Sequence, residues 1–299
     1  MNVVWDEIDQ RISQATNHVF QGRRRSSLSG GSISQAFRVE GGGAQFFVKL
    51  HASSNLTMFE AEAAGLQALA ETQLLMVPEP VCWGVSGEYC YLVMSYLDVA
   101  PRARSLPAEA VFGERLAQMH QQQKNSRFGW YRDNTIGSTL QRNSWHSCWL
   151  DFYRDQRLAF QLDLVARQGY ASSKFMQKGE RLLSNLAPFF SDYQPDPSLL
   201  HGDLWSGNVA MDVAEQPVVF DPAVYYGDRE ADLAMSELFS GFSGDFYAAY
   251  RQVWPLDVGY PVRKILYNLY HVLNHLNLFG RGYLAQAENM IDRLLSEIS

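Results

Sequence analysis

His201-Gly202-Asp203-Leu204-Trp205-Ser206-Gly207-Asn208, followed after a short apolar run by Phe220-Asp221-Pro222-Ala223, is the stretch that decides how this chain is read. Moving a phosphoryl group asks little covalent chemistry of a protein and much positioning. It needs one carboxylate at the acceptor hydroxyl and separate oxygen ligands for a magnesium ion that neutralises the phosphates. Asp203 suits the first task. Asn208, five residues further on, offers a neutral amide oxygen to the metal. Asp221 offers a second metal ligand beyond an expected hairpin with strands over 209–211 and 217–220. His-Gly-Asp alone is equally a surface turn, because Gly and Asp are common turn residues. The joint spacing of the three groups is what sets it apart.

The same spacing occurs in the protein-kinase catalytic loop, HRDxxxxN, with Asp221 in the place of the DFG aspartate. Two upstream elements should then exist. Phe46-Phe47-Val48-Lys49 reads as an apolar strand ending in a lysine for the α- and β-phosphates, and 58–70 as a helix supplying its glutamate partner. Glu60 and Glu62 are two apart and face different ways, so only one can serve. Glu62 is expected, since it falls with Phe59, Leu66 and Leu69 on the inward stripe.

Before the lysine strand, a Gly/Ser segment containing Gly30, Gly31 and Ser32 could lay main-chain N–H groups over ATP phosphates. It does not match GxGxxG, and a Gly-Gly pair equally makes a plain hairpin turn. Residues 92–98 read as a buried strand running into a linker. Met94 would back an adenine pocket, and the main chain of Ser95, Tyr96 and Leu97 would meet the adenine edge. A core strand explains the apolar part equally well.

These residues, with Val77-Pro78, Tyr226-Gly-Asp-Arg-Glu230, Asp232-Leu-Ala234, Leu273-Asn-His-Leu-Asn277 and Phe279-Gly280, resemble the fructosamine-kinase (ketosamine kinase) family, a branch close to the aminoglycoside phosphotransferases. The resemblance spans nearly the whole chain, and HGDLWSGN followed by DPA is more specific to this family than HGD alone. It implies an α+β, two-lobed protein-kinase-like fold, with a β-rich N-lobe over 1–94, a hinge over 95–104 and a mainly helical C-lobe over 105–299. It also implies ATP and Mg²⁺, and phosphorylation of the 3-hydroxyl of ribulosamines, erythrulosamines or fructosamines, free or on glycated protein lysines, in a deglycation repair role. Some relatives carry a cysteine in the phosphate loop that links subunits. The matching position here is Ser32, so no redox-switched dimer is expected, and the chain is expected as a monomer or weak homodimer.

Other features fit without adding a second function. The chain has 299 residues, 46% of them hydrophobic, enough for a two-lobed enzyme. A net charge of −7 argues against nonspecific nucleic-acid binding. Arg23-Arg24-Arg25 is a local exception, read as a solvated loop or as a contact to phosphate or an acidic substrate. Cys82, Cys90 and Cys148 have no metal-ligand spacing and suit packing in a reducing compartment. The N-terminal residues carry no basic region followed by an apolar run, so a cytoplasmic location is expected. Residues 265–280 are interrupted by Asn and His, and read as a buried helix rather than a membrane span.

Helices are expected over 107–120, 145–167, 174–186, 229–239, 245–253 and 286–298. The aromatic stripe Trp149, Phe152 and Phe160 is core or the wall of a sugar pocket. Trp205 offers a flat face to substrate, and His275 and Asn277 could donate hydrogen bonds to it or be satisfied core groups. Glu230 and Asp232 are expected to cap a helix or pair with neighbouring arginines. Two alternatives to a ketoamine kinase stay open. An aminoglycoside- or choline-type small-molecule kinase would want a strongly acidic acceptor pocket, and a nucleotide-binding pseudokinase module would lack turnover.

Overall fold

Period-two alternation along Ala44–Ala52 buries Phe46, Val48 and Leu50 on one face and turns Phe47 and Lys49 to the other. This is the middle strand of a five-stranded antiparallel sheet. Its members are β1 (Arg24–Leu28), β2 (Gln35–Gly41), β3 (Ala44–Ala52), β4 (Pro80–Ser86) and β5 (Tyr89–Ser95), in the order β1-β2-β3-β5-β4. The computed structural model describes residues 2–28, 34–100, 105–122, 124–239 and 241–298.

The chain forms two compact units, Met1–Arg104 with Ala210–Pro222, and Ser105–Val209 with Ala223–Ser299. In the first, helix α1 (Asn2–Thr16) sets Val4, Trp5, Ile8 and Ile12 against Phe46, Val48 and Leu50, closing one core. Arg25 of the basic run is no free contact for phosphate, since it pairs with Asp9 and lies over the Trp5 ring. Helix α2 (Leu56–Glu71) packs on β4 and β5 with Phe59, Leu66 and Leu69 fully buried, the stripe its spacing predicts. The expected hairpin is present as Val209–Asp212 and Pro217–Val219, paired also with the short strand Val99–Ala100. A bridge between Met76 and Val218 fastens it to this unit.

The second unit contains helices α3 (Leu106–Gln122), α4 (Trp149–Phe152), α5 (Ala159–Gln168), α6 (Ser173–Leu183), α7 (Glu230–Leu238), α8 (Gly244–Val253), α9 (Tyr260–Phe279) and α10 (Leu284–Glu297). The expected helix over 145–167 begins only at Trp149 and passes through a π turn, Tyr153–Leu158, between α4 and α5. Its stripe is core at Trp149 and Phe152, both under 5% exposed. Helix α9 is central, packing against α5, α7 and α10, with Pro261 in its first turn where a missing N–H costs nothing. Among the described residues no helix is long and apolar enough to cross a membrane. The cysteines are free thiols; Cys90 is buried, whereas Cys148 is exposed and so not a packing residue.

Candidate active site

The strand Ser198–Leu200 pairs with Tyr225–Gly227 and delivers the chain into the turn His201-Gly202-Asp203. Gly202 has φ +82°, and a Cβ built on it would stand 2.0 Å from the Ala223 carbonyl oxygen. Only glycine meets both conditions. The Ala223 N–H donates to the His201 carbonyl at 2.8 Å, and the Ala223 carbonyl accepts from Gln141 Nε2 at 3.0 Å. Gln141 is itself held by Asn134 and by the Tyr270 hydroxyl.

The turn has a further anchor. Asp232, on α7, accepts the main-chain N–H groups of His201 at 2.7 Å and Gly202 at 2.9 Å, and contacts His120 Nε2 at 3.2 Å. It is 1% exposed. Burial pushes its carboxyl up. The His120 bond, the charges of His120 and His201, and the Gly202 N–H outweigh burial and hold it below the usual carboxylate range. This corrects the expectation of a cap or a neighbouring arginine. Glu230 does pair with an arginine, but with Arg263, 33 residues away, at 2.7 and 3.0 Å.

Within this unit Asp203 and Asn208 come together. Asn208 Nδ2 donates to the Asp203 carbonyl at 2.9 Å and to its carboxylate at 3.2 Å. That turns the amide oxygen, the atom a hard cation takes, away from Asp203. Gly207 lies beneath the Trp205 ring, where a Cβ would come within 2.2 Å of it. The Trp-Ser-Gly string is thereby explained locally, and Trp205 remains 36% exposed. Its ring contacts Phe239, which in turn meets His275, at 6.3 and 5.0 Å between centroids.

His275 donates through Nδ1 to the His271 carbonyl at 2.8 Å and stacks on Phe279 and Tyr283. Burial lowers its pKa. Asn277, read from sequence as a donor toward substrate or a satisfied core group, gives its amide protons to the Gln161 carbonyl and side-chain oxygen at 3.1 and 2.7 Å.

The first unit holds the other group of residues. Lys49 Nζ lies 2.6 Å from Glu62 and makes a short contact to Asp221. Burial opposes the charged lysine, but the Asp221 and Glu62 carboxylates override it and raise its pKa. Burial raises that of Glu62. Asp221 adopts φ +55°, a left-handed conformation that Asp tolerates better than most residues and that collects at functional sites.

Met94 is 2% exposed and pairs with Phe47 and Pro80. The Ser95 N–H goes to the Glu79 carbonyl at 2.8 Å, the Tyr96 ring lies under Arg38, and Leu97 is half-buried. Gly30, Gly31 and Ser32 lie outside the described residues.

Each unit by itself offers donors of the kinds that a triphosphate or a divalent ion takes. The buried lysine is held charged, the Asp221 carboxylate is 49% exposed, and Asn208 offers a neutral oxygen. Such ions take one or two protein oxygens and complete their shell with phosphate and water.

Sheet, lysine–glutamate pair and Asp–Asn turn together define an ATP-using phosphotransferase of the protein-kinase-like fold. The family model described as fructosamine kinase matches residues 4–297, and the chain belongs to that family. A protein of Synechocystis sp. named a probable ketoamine kinase is 44% identical over 97% of both chains. The chloroplastic protein-ribulosamine 3-kinase of Arabidopsis thaliana is 46% identical over 90% of this chain and 82% of its own. A solved protein of Haemophilus somnus, named as a candidate fructosamine-3-kinase, superposes with a TM-score of 0.88 at 29% identity, over 97% of each chain.

Proposed function

We propose that this chain transfers the γ-phosphoryl group of ATP to the 3-hydroxyl of a ketoamine sugar. The observation that carries the reading is the Asp203–Asn208 pair on a turn held by Asp232, in a chain whose first unit presents a buried lysine–glutamate pair. The names of the relatives, a ketoamine kinase and a ribulosamine 3-kinase, supply the substrate class.

Asp203 orients the sugar hydroxyl and accepts its proton late in the transfer. The bond from the γ-phosphorus to the β-phosphate bridging oxygen breaks, one to the sugar oxygen forms, and ADP leaves. Lys49, positioned by Glu62, holds the α- and β-phosphates. Asn208 and Asp221 are the side chains assigned to Mg²⁺, which neutralises charge on the transferring oxygens when bound. The main chain of Ser95 and Leu97, beside Met94 and Tyr96, is assigned to adenine. Trp205 gives its exposed face to the sugar.

An aminoglycoside or choline kinase would want carboxylates at the acceptor. The side chains reached from Trp205 are instead aromatic: Phe239, His275, Phe279 and Tyr283.

ADP release measured over ribulosamine, erythrulosamine, fructosamine, aminoglycosides and choline tests the reading, with turnover expected on the ketoamines. Asp203→Asn should keep ATP affinity and lose about 10²-fold or more in kcat. Full activity in that variant, or turnover confined to aminoglycosides or choline, would sink it. Asp221→Ala should remove the Mg²⁺ dependence of ATP binding.

A further inference from the structure

Arg157 is 0% exposed and sits in the π turn between α4 and α5, an irregularity that collects at functional sites. Its guanidinium lies over the rings of Phe152 and Tyr225, 4.6 and 4.1 Å from their centroids. Its hydrogen bonds go to neutral oxygens. Nη1 donates to the Arg142 and Gln156 carbonyls at 2.5 and 3.2 Å, and Nη2 to Asn143 Oδ1 at 2.7 Å. No carboxylate is among these partners, and Nε has none at all. A charge buried on such terms is costly, and filling space does not require one.

The reason for it lies beyond Asn143. Arginine donates and cannot accept, so Asn143 must meet it with its oxygen. The Nδ2 group of Asn143 is thereby turned to Asn134 Oδ1 at 3.0 Å and the Arg132 carbonyl at 3.2 Å. Asn134 Oδ1 also accepts from Gln141 Nε2 at 2.8 Å, which leaves Asn134 Nδ2 to donate to the Val224 carbonyl at 2.8 Å. Gln141 Nε2 reaches the Ala223 carbonyl at 3.0 Å, while its Oε1 accepts from the Tyr270 hydroxyl at 2.8 Å. All three amides are buried. Their donors therefore run in one direction, from the guanidinium to two main-chain carbonyls. The Ala223 carbonyl is the group that closes on Gly202, and the Ala223 N–H holds the His201 carbonyl at 2.8 Å.

We infer that Arg157 is a positioning residue for phosphoryl transfer, acting through Asn143, Asn134 and Gln141 on Ala223 and so on the turn that carries Asp203. The inference rests on the kinase reading above and adds to it a residue that touches no substrate. A charged donor at the head of the row strengthens the bonds that follow it. Asp232 grips the main-chain N–H groups of the turn from one side, and the row headed by Arg157 fixes the carbonyl beneath Gly202.

The test measures kcat, KM for ATP and Tm on the full chain, with the ribulose adduct of propylamine as acceptor. Asn143→Asp keeps an acceptor for Arg157 and gives the buried charge a carboxylate, but removes the donor to Asn134. Its Tm should stay at or above that of the parent. Its kcat should fall about tenfold, the scale of one buried hydrogen bond left unmade, with KM for ATP unchanged. Arg157→Met keeps the apolar contacts and removes the donor, and should lose kcat by a similar factor. Arg157→Lys restores a charged donor and should recover part of that loss. Parental kcat in Asn143→Asp, or equal kcat in the Met and Lys variants, would overturn the inference. A Tm that falls in step with kcat in both Asn143→Asp and Arg157→Met would reduce the row to packing and overturn it as well. Absence of turnover in the parent enzyme would instead overturn the kinase reading on which the inference rests.

Discussion

The main-chain N–H of Gly202 donates to Asp232 Oδ1 at 2.9 Å, across 30 residues of chain. The geometry of the turn at Asp203 therefore depends on a carboxylate that need never touch substrate. Hydrogen bonds to charged groups are worth about 1.5–3 kcal/mol, and a displacement of about 1 Å at the reacting group costs about 10²-fold in rate. Asp232→Asn keeps the shape but presents an NH₂ group to one of the two main-chain donors. We expect kcat to fall about 10²-fold with ATP affinity retained, checked by steady-state kinetics beside nucleotide titration.

Gly202→Ala tests the turn from its other side. The new methyl must displace the Ala223 carbonyl and hold φ +82°, a strain of about 1–3 kcal/mol before the clash is counted. Thermal unfolding should show a lower Tm, and turnover should be lost even at temperatures where the variant stays folded.

Lys49→Ala leaves the Glu62 carboxylate buried without its cation, which is more damaging than removing the pair together. KM for ATP should rise by about tenfold or more. The double variant Lys49→Ala with Glu62→Gln should be more stable than Lys49→Ala alone, a non-additivity read from a double-mutant cycle.

His271 supplies the pH prediction. Burial, with the nearby charge of His275, lowers its pKa to about 3 against an ordinary value near 6.5. Between those values the unfolded chain binds a proton that the folded chain refuses. The stability from keeping this ring neutral is complete above about pH 6.5 and is lost progressively as pH falls toward 3, at up to about 1.4 kcal/mol per unit. His271→Leu should flatten the dependence of Tm on pH between about 4.5 and 6.5. Parallel curves for parent and variant would show that this imidazole is not the group responsible.

What could be read from sequence is what is local. The lysine strand declares itself by alternation, the glutamate helix by a stripe on one face, and the turn at 201–203 by the spacing from Asp203 to Asn208. All three depend on residues within a few turns of one another. Asp232 was opaque because its partners, His201, Gly202 and His120, lie 30 to 112 residues away. The inward turn of Asn277 was hidden for the same reason, since Gln161 is 116 residues off. Helix α1 is not among the elements expected from sequence. Its apolar positions, Val4, Trp5, Ile8 and Ile12, already carry helical spacing. The φ of Asp221 has no sequence signature, because Asp adopts the left-handed region only where its surroundings demand it.

Residues 210–222 return to the unit begun by residues 1–104. On the ribosome, the sheet and α1 emerge early, yet Val99–Ala100 must wait for Met211 and Asp212, and Met76 for Val218. At about 5–20 residues per second, that is a delay of roughly six to nearly thirty seconds during synthesis. The nascent N-terminal unit is thus completed only by a segment translated after all of α3 to α6, and a gene cut at residue 104 would yield a unit lacking its last strands and Asp221.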